Sequence, residues 1–474
     1  MATAGIQVTA QSRARKVGWV LLTLVAISLV ANAAIGILWI SRNINFIPVY
    51  GDTTEYFELS KTLIVDQYRG ILYPVIVRIA SDLSQITGLT TQSLIYSFQI
   101  IVAILATYSL AMIFLRGKPR AKLLSAIIAI SVTLNPLVAH FCLTILTDSL
   151  AASFTIIFAA SLIRACKNDS SVKKAALQFF VASIALILMS IIRVDKLYLA
   201  TTVFSLSLIF IGLFSRKNHN YKAIAITGLL MFAASVAITV SIKNSTTVYN
   251  QKRPPLDISS MGFNRAVWPR MVEVYPYLSD SVKQRVSIDD ATLFDSHNNY
   301  VYPLLTRELD KPEGKHIIDE ITLTTIKNFP GQIASSIVFD FAKYSMPNLQ
   351  FPLEAYDVLP QSVGTSWTIS RMEMLRPLTT HIFLVTGWWQ LFALSLFAAY
   401  SIRKKCMSIS DLLCAPYTAL IISSTVVINS LLFTLSSGMH THIRYSLPTY
   451  TIFQIILLAI AARHIQKNEN TENI

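Results

Sequence analysis

Charged residues are scarce in this chain. Asp, Glu, Lys and Arg make up 14% of its 474 residues, whereas 53% are hydrophobic and the mean hydropathy is +0.53. Because a soluble domain has about 25% charged residues, this composition excludes a water-soluble protein of this size. Several runs of roughly 20 apolar residues match the thickness of a bilayer. The composition therefore predicts an all-α polytopic membrane protein.

Acidic residues are fewer than basic residues in this chain. It has 26 Asp and Glu against 40 Lys and Arg, for a net charge of +14. In a soluble protein such a charge would suggest a nucleic-acid partner. Here the basic residues concentrate in short loops at alternate helix ends, such as 116–122 and 216–222, as the positive-inside rule describes. The membrane explains the basicity, so no nucleic acid is expected. The same rule predicts that both termini are cytoplasmic.

Cysteine is also rare, with four in the chain. Cys142 and Cys414 fall inside apolar runs, and Cys166 and Cys406 fall near basic helix ends. None lies in a loop predicted to be external, which excludes an external disulfide within one chain. Their spacing matches no zinc motif.

The apolar runs predict about ten transmembrane helices in three regions. Residues 1–242 form a transmembrane module with amphipathic helices in its first external loop. Residues 243–377 contain 11 of the 17 prolines and form one larger external, periplasmic loop domain, with helices predicted at about 313–329 and from about 330. Residues 378–474 form the last helices and a cytoplasmic tail. The predicted spans are about 17–41, 93–115, 123–143 (interrupted by Asn135-Pro136), 149–165, 175–192, 197–214, 223–242, 379–401, 412–435 and 446–462.

Ionisable residues collect at the helix ends that this topology places outside. Asp52 and Glu55 are three residues apart, which puts both on one face of a helix, and carboxylates beside a bilayer are costly without a role or a partner. Basic residues outside run against the positive-inside bias, and an anionic ligand such as a phosphate would explain them. The set comprises Asp52, Glu55, Arg69, Asp148, Arg193, Asp195, Lys196, His440, His442 and Arg444.

Structural roles are the alternative for each of these residues. Asp52 and Asp148 sit where helix N-caps are expected. Arg193 and Lys196 could form an internal ion pair with Asp195. Arg69 could reach for the lipid headgroups.

Three short motifs carry a resemblance to a known family. Gly51-Asp52-x-x-Glu55-Tyr56 followed by Arg69-Gly70-Ile71-Leu72-Tyr73-Pro74 resembles the first external loop of the GT-C superfamily. These are polytopic glycosyltransferases that use polyprenyl-phosphate sugars, with protein O-mannosyltransferases and lipid A aminoarabinose transferases among them. Thr147-Asp148 and Arg444-Tyr445-x-Leu447-Pro448 resemble later motifs of that family. Residues 243–377 have no counterpart in this resemblance.

The resemblance implies an enzyme that moves a sugar from a polyprenyl phosphate to a glycan, lipid or protein acceptor, with inversion. The reaction would take place at the outer face of a bacterial inner membrane. Asp52 would be the catalytic base with Glu55 beside it. The donor phosphate would meet Arg69, Arg193, Lys196 and Arg444, and Asp148, Tyr73 and His442 would be substrate or metal contacts.

The sequence requires no cofactor, although a divalent cation bridging Asp52, Asp148 and a phosphate is an open alternative, since hard cations prefer oxygen ligands. Two other functions stay open. One is a surface-polysaccharide polymerase or ligase with a lipid-diphosphate donor. The other is a transporter or flippase, which predicts ionisable residues at mid-membrane; here the charges lie at helix ends.

Overall fold

The computed structural model of this chain is helical, with no strand among the residues that it describes. The described residues are 2–46, 50–63, 70–166, 171–193, 195–214, 220–247, 271–287, 289, 314–346, 354, 363–375, 377–403, 416–437 and 443–472.

Ten helices occupy the first half of the chain. They are α1 (Ala2–Asn43), α2 (Gly51–Thr62), α3 (Leu72–Thr87), α4 (Thr91–Phe114), α5 (Ala121–Thr133), α6 (Pro136–Cys142), α7 (Asp148–Ala165), α8 (Val172–Ile192), α9 (Asp195–Phe214) and α10 (Tyr221–Thr247). Two one-turn helices follow, α11 (Met271–Val274) and α12 (Asp280–Lys283). The remainder are α13 (Gly314–Asn328), α14 (Pro330–Ser345), α15 (Val363–Leu375), α16 (Pro377–Arg403), α17 (Pro416–Ser437) and α18 (Leu447–Glu472).

The described helices confirm the predicted polytopic membrane architecture. Nine are long and apolar enough to cross a membrane, or ten if the bent pair α5 and α6 is one span. The core lies around α7 and α18, whose apolar windows are 83% and 78% buried, whereas α1 and α10 are mostly exposed at the bundle surface. The most buried helices therefore begin at the end of the bundle where Asp148 and Arg444 lie.

The third predicted span is broken at the expected dipeptide. α5 and α6 meet at 75°, because Pro136 cannot continue a helix and the Asn135 side chain caps α6 by accepting from the Leu137 amide at 3.2 Å. Such a break needs protein partners for its freed polar groups. Tyr450 donates to Asn135 at 3.0 Å, and Asn135 donates to Gln390 at 3.3 Å.

A glycine lets α16 pack closely against this break. A Cβ built on Gly387 would lie 2.3 Å from the Pro136 side chain. Gly387 thus allows α16 to pack against the broken span. Gln390, one turn later in α16, then lies close enough to accept from Asn135.

The loop between α1 and α4 contains two helices, as predicted. Tyr56 of α2 and Tyr73 of α3 meet edge to face with ring centroids 4.8 Å apart, and both are buried. The first turn of α2 is fixed at its start, because the Tyr50 amide donates to Thr53 Oγ1 at 3.2 Å and that hydroxyl donates to the Ile145 carbonyl at 3.3 Å. Asp52 is therefore anchored to the segment that leads into α7.

The two predicted amphipathic helices of the 243–377 stretch also form, as α13 and α14. α14 packs against α17 and against the 3-10 turn Ile443–Ser446, and α15 packs against the same turn. Tyr344 of α14 is buried and its ring centroid lies 6.0 Å from that of Phe433 in α17. The stretch between the two membrane modules thus reaches the end of the bundle where Arg444 lies.

Candidate functional site

Six charged residues converge at this end of the bundle, although they are spread over most of the chain. Each stands at or beside a helix terminus: Asp52 in the first turn of α2, Asp148 and Asp195 as the first residues of α7 and α9, and Arg193 at the end of α8. We call Asp52, Asp148, Asp195, Arg193, Lys196 and Arg444 the charged cluster.

Two arginines join the three aspartates. Arg444 Nη1 lies 3.1 Å from Asp52 Oδ2 and 4.0 Å from Asp148 Oδ2. Arg193 Nη1 lies 2.7 Å from Asp148 Oδ1, and Arg193 Nε lies 3.0 Å from Asp195 Oδ1. Asp148, only 3% exposed, is therefore shared between the two guanidinium groups.

Two aromatic rings form a wall beside these cations. Phe433 and Tyr445 stack at 4.8 Å with an interplanar angle of 8°. The Arg193 guanidinium carbon lies 4.8 Å from the Tyr445 centroid, and Arg444 donates to the Tyr445 hydroxyl at 2.9 Å. Ring faces attract cations most when water is excluded, so the aromatic pair helps to hold the cations in place.

Lys196 differs from the two arginines. Its ammonium donates to Asn429 Oδ1 at 2.7 Å and lies 4.7 Å from the Phe433 centroid. It is 2% exposed, and no carboxylate of the described residues lies within 4.0 Å of it. Of the cluster's cations, Lys196 is therefore the one held by neutral partners.

A small cleft opens between these groups, and we call it the cavity. The three cations, Asp148 and the two rings line it, so a positive rim faces an apolar wall. Its lining is Asp148, Ala151, Ala152, Arg193, Lys196, Phe433, Arg444, Tyr445 and Pro448.

Arg193 remains charged in this setting. Burial works against its positive charge, but Asp195 and Asp148 outweigh burial and raise the pKa of the guanidinium above its usual value. The cluster has three aspartates against three cations, so its formal charge is balanced when every member is ionised.

A close backbone contact positions Arg193. A Cβ built on Gly70 would lie 1.6 Å from the Ile191 carbonyl oxygen and 2.7 Å from that of Ile192. Only glycine lets the start of α3 approach the last turn of α8 this closely. Gly70 is thereby packed against the residues that precede Arg193.

The other candidate residues from the sequence fall elsewhere. Glu55 is half-buried on α2 and is not among the residues that line the cavity. Tyr73 is fully buried, and its hydroxyl donates to Gln99 Oε1 of α4 at 3.3 Å. Tyr73 is not among the residues that line the cavity, and burial raises its pKa. Arg69, His440 and His442 lie outside the described residues.

Sequence reasoning missed several residues of the site. Phe433 and Asn429 lie inside an apolar span, and no sequence motif around them indicates a functional role. Tyr445 stands in the Arg444-Tyr445 motif and could have been included on that ground.

Among the described residues, no group of three or more His, Cys, Asp or Glu side chains is arranged to hold a metal ion. The two cluster carboxylates named for a divalent cation, Asp52 and Asp148, are each engaged by an arginine in this structure.

Two solved structures are similar to this chain. ArnT from Cupriavidus metallidurans bound to undecaprenyl phosphate matches with a TM-score of 0.37 and 13% identity, over 95% of this chain and 77% of that chain. The apo state of the same protein matches with a TM-score of 0.35 and 12% identity, over 96% and 78%. No family model and no curated protein matches the chain.

ArnT belongs to the GT-C class that the loop motifs resemble.

Proposed function

We propose that this integral membrane protein is a glycosyltransferase that moves a sugar from a polyprenyl-phosphate donor to a glycan, lipid or protein acceptor. The observation that carries the proposal is the charged cluster, in which the Asp52 carboxylate of α2 pairs with Arg444, one of three cations that line one cavity. Glycosyl transfer needs these two kinds of group: a base for the acceptor hydroxyl and cations for the phosphate that leaves.

Asp52 is the proposed base. It takes the proton of the acceptor hydroxyl while that oxygen attacks the anomeric carbon of the donor. The bond from that carbon to the phosphate oxygen breaks, and polyprenyl phosphate leaves with the electron pair. A single displacement of this kind inverts the anomeric carbon.

Lys196, Arg193 and Arg444 are the proposed phosphate contacts. All three line the cavity, and Lys196 has no carboxylate of a described residue within 4.0 Å, so a phosphate would displace no close ion pair to reach it. Arg444 then exchanges Asp52 for a phosphate oxygen. That exchange frees the Asp52 carboxylate for the acceptor only when the donor is in place.

The aromatic wall supports this assignment. Phosphate binding to arginine is strongest where geometry is fixed, and Arg193 is fixed between Asp148, Asp195 and the Tyr445 ring. The residue therefore approaches the phosphate already oriented, with little side-chain freedom left to lose.

The test compares Asp52→Asn with the wild type in proteoliposomes that contain a panel of radiolabelled polyprenyl-phosphate sugars and cell-envelope acceptors. The matched control is Glu58→Gln on the same helix, because Glu58 is exposed and pairs with Lys61 outside the cavity. We expect loss of transfer in Asp52→Asn alone. Transfer by Asp52→Asn at the wild-type rate would remove Asp52 from the base role.

A surface-polysaccharide polymerase or ligase with a lipid-diphosphate donor is the second candidate. One observation favours it: α15, from the large external stretch, packs on the turn that carries Arg444, and its Arg371 acts on Tyr50. A diphosphate needs more cationic contacts than a monophosphate. Activity that survives Asp52→Asn but is lost in Arg371→Met would support this candidate over the first.

A further inference from the structure

A tyrosine and a histidine outside the charged cluster meet directly behind α2. The Tyr50 hydroxyl lies 2.6 Å from Nε2 of His140, which belongs to α6. The two side chains are 1% and 0% exposed, and their rings meet edge to face at 6.1 Å. This is a short, fully enclosed hydrogen bond between residues 90 positions apart in the chain.

The contact is not explained by packing alone. The second ring nitrogen of His140, Nδ1, is buried and has no hydrogen-bond partner among the described residues. A buried polar atom without a partner destabilises the fold. An apolar side chain would fill the same space without that penalty, so the pair is better explained by what it positions than by what it adds to stability.

The pair stands at the start of the helix that carries Asp52. Tyr50 is the residue before α2, and its amide donates to Thr53 in the first turn. Burial raises the pKa of the Tyr50 phenol, with Arg444 and Asp148 also acting on it electrostatically, so the hydroxyl keeps its proton beside the cluster. His140 lies in the short helix that precedes the segment leading to Asp148. The hydrogen bond thus joins the two segments that supply Asp52 and Asp148.

We propose that Tyr50 and His140 form a positioning pair that fixes the first turn of α2, so that the Asp52 carboxylate stays within reach of Arg444 and the cavity. The proposal rests on the proposed function, in which Asp52 is the base. Neither residue lines the cavity, so both act through Asp52 and not on the reacting atoms.

The expected signature is a loss in kcat with little change in KM for the donor. Tyr50→Phe removes one oxygen and keeps the ring, so α2 gains freedom while the phosphate contacts stay in place. Displacing a catalytic group by about 1 Å can lower a rate by roughly 100-fold, and a partial loss of order in α2 should lower kcat by about 10-fold.

The experiment measures kcat and donor KM for wild type, Tyr50→Phe, His140→Leu and the double variant in proteoliposomes. If the two residues act as one unit, the double variant is no slower than the slower single variant. His140→Gln, which can still accept from the Tyr50 hydroxyl, should recover part of the rate lost in His140→Leu. The control is Tyr96→Phe, because the buried Tyr96 hydroxyl donates to the Phe46 carbonyl at 3.0 Å, away from α2.

Hydrogen exchange of the amides of residues 51–62 gives a readout that needs no activity. We expect faster exchange in Tyr50→Phe and wild-type exchange in Tyr96→Phe. Unchanged exchange, an unchanged kcat, or a rise in KM without a fall in kcat in Tyr50→Phe would overturn the proposal. If the wild-type protein transfers no sugar, the proposed function fails by itself, and the exchange data alone decide whether the pair holds α2.

Discussion

Replacing Arg193 by lysine is the most direct test of how the charged cluster is held together. The guanidinium contacts Asp148 through Nη1 at 2.7 Å and Asp195 through Nε at 3.0 Å, and lies 4.8 Å from the Tyr445 centroid. Lysine keeps the charge but presents one ammonium on a narrower stem. It can reach one carboxylate well, and it loses the planar contact with the ring.

The expected loss in unfolding free energy follows from those contacts. One hydrogen bond to a charged group contributes about 1.5–3 kcal/mol, and a desolvated cation–ring contact contributes about 0.5–2 kcal/mol. We therefore expect Arg193→Lys to destabilise the protein by about 2–5 kcal/mol. Arg193→Met should destabilise the protein by at least as much, because it removes a cationic partner of Asp148, whose side chain is only 3% exposed.

Arg78→Lys is the matched control. Arg78 also pairs with an aspartate, Asp82, at 3.3 Å, but the two side chains are 50% and 57% exposed. Exposed pairs contribute about 0–1 kcal/mol, so this variant should unfold like the wild type.

The assay is reversible unfolding in mixed micelles, followed by tryptophan fluorescence during titration with a denaturing detergent. If Arg193→Lys and Arg78→Lys differ by less than about 0.5 kcal/mol, the cluster is not the tightly coupled unit that its distances indicate, and the reasoning from burial is refuted.

Three further predictions follow from single positions. Gly70→Ala should destabilise the protein by about 1–3 kcal/mol, because its Cβ would meet the Ile191 carbonyl. The control is Gly212→Ala, where a Cβ meets nothing within 4 Å. Equal stability of the two variants would contradict the close approach of Gly70 to α8. Lys196→Met should weaken donor binding by at least about 10-fold, or 1.4 kcal/mol. Equilibrium binding of a polyprenyl phosphate measures this, and undiminished affinity would remove Lys196 from the site. Burial raises the pKa of Asp340 to about 6 against the opposing effect of Lys343, so the folded state binds a proton more tightly than the unfolded state, and thermal stability should fall as the pH rises from 4 through 6. Asp340→Asn should flatten this dependence and raise the melting temperature at pH 7.5; a lower melting temperature there would contradict it.

Local patterns in the sequence were sufficient for most of the helices. The Asn135-Pro136 dipeptide predicted where the third span breaks, because proline blocks helix continuation whatever surrounds it. Apolar runs predicted the spans, because the bilayer thickness sets their length. The helical spacing of apolar residues predicted the two helices within 313–345. The angle of the break did not follow, since it depends on Gly387 and Gln390 of a distant helix.

The site was predictable only as a collection of residues at the same end of the bundle. Topology placed Asp52 and Arg444 together despite a separation of 392 positions, but spacing could not reveal that they pair. Phe433 is one of 24 phenylalanines, and nothing local distinguishes it from those that face lipid. The alternative of an internal ion pair between Arg193 and Asp195 is present in the structure, and the phosphate role of Arg193 stays a prediction.

The balanced charge of the cluster has a kinetic consequence. Among the described residues, three aspartates and three cations leave the cluster itself without a formal net charge, and salt screens the field of more distant charges beyond roughly 8 Å. An anionic headgroup is then admitted by exchanging partners at short range and is not drawn in by a long-range field. For the proposed lipid donor, the cluster should therefore add little dependence on ionic strength to the rate of entry.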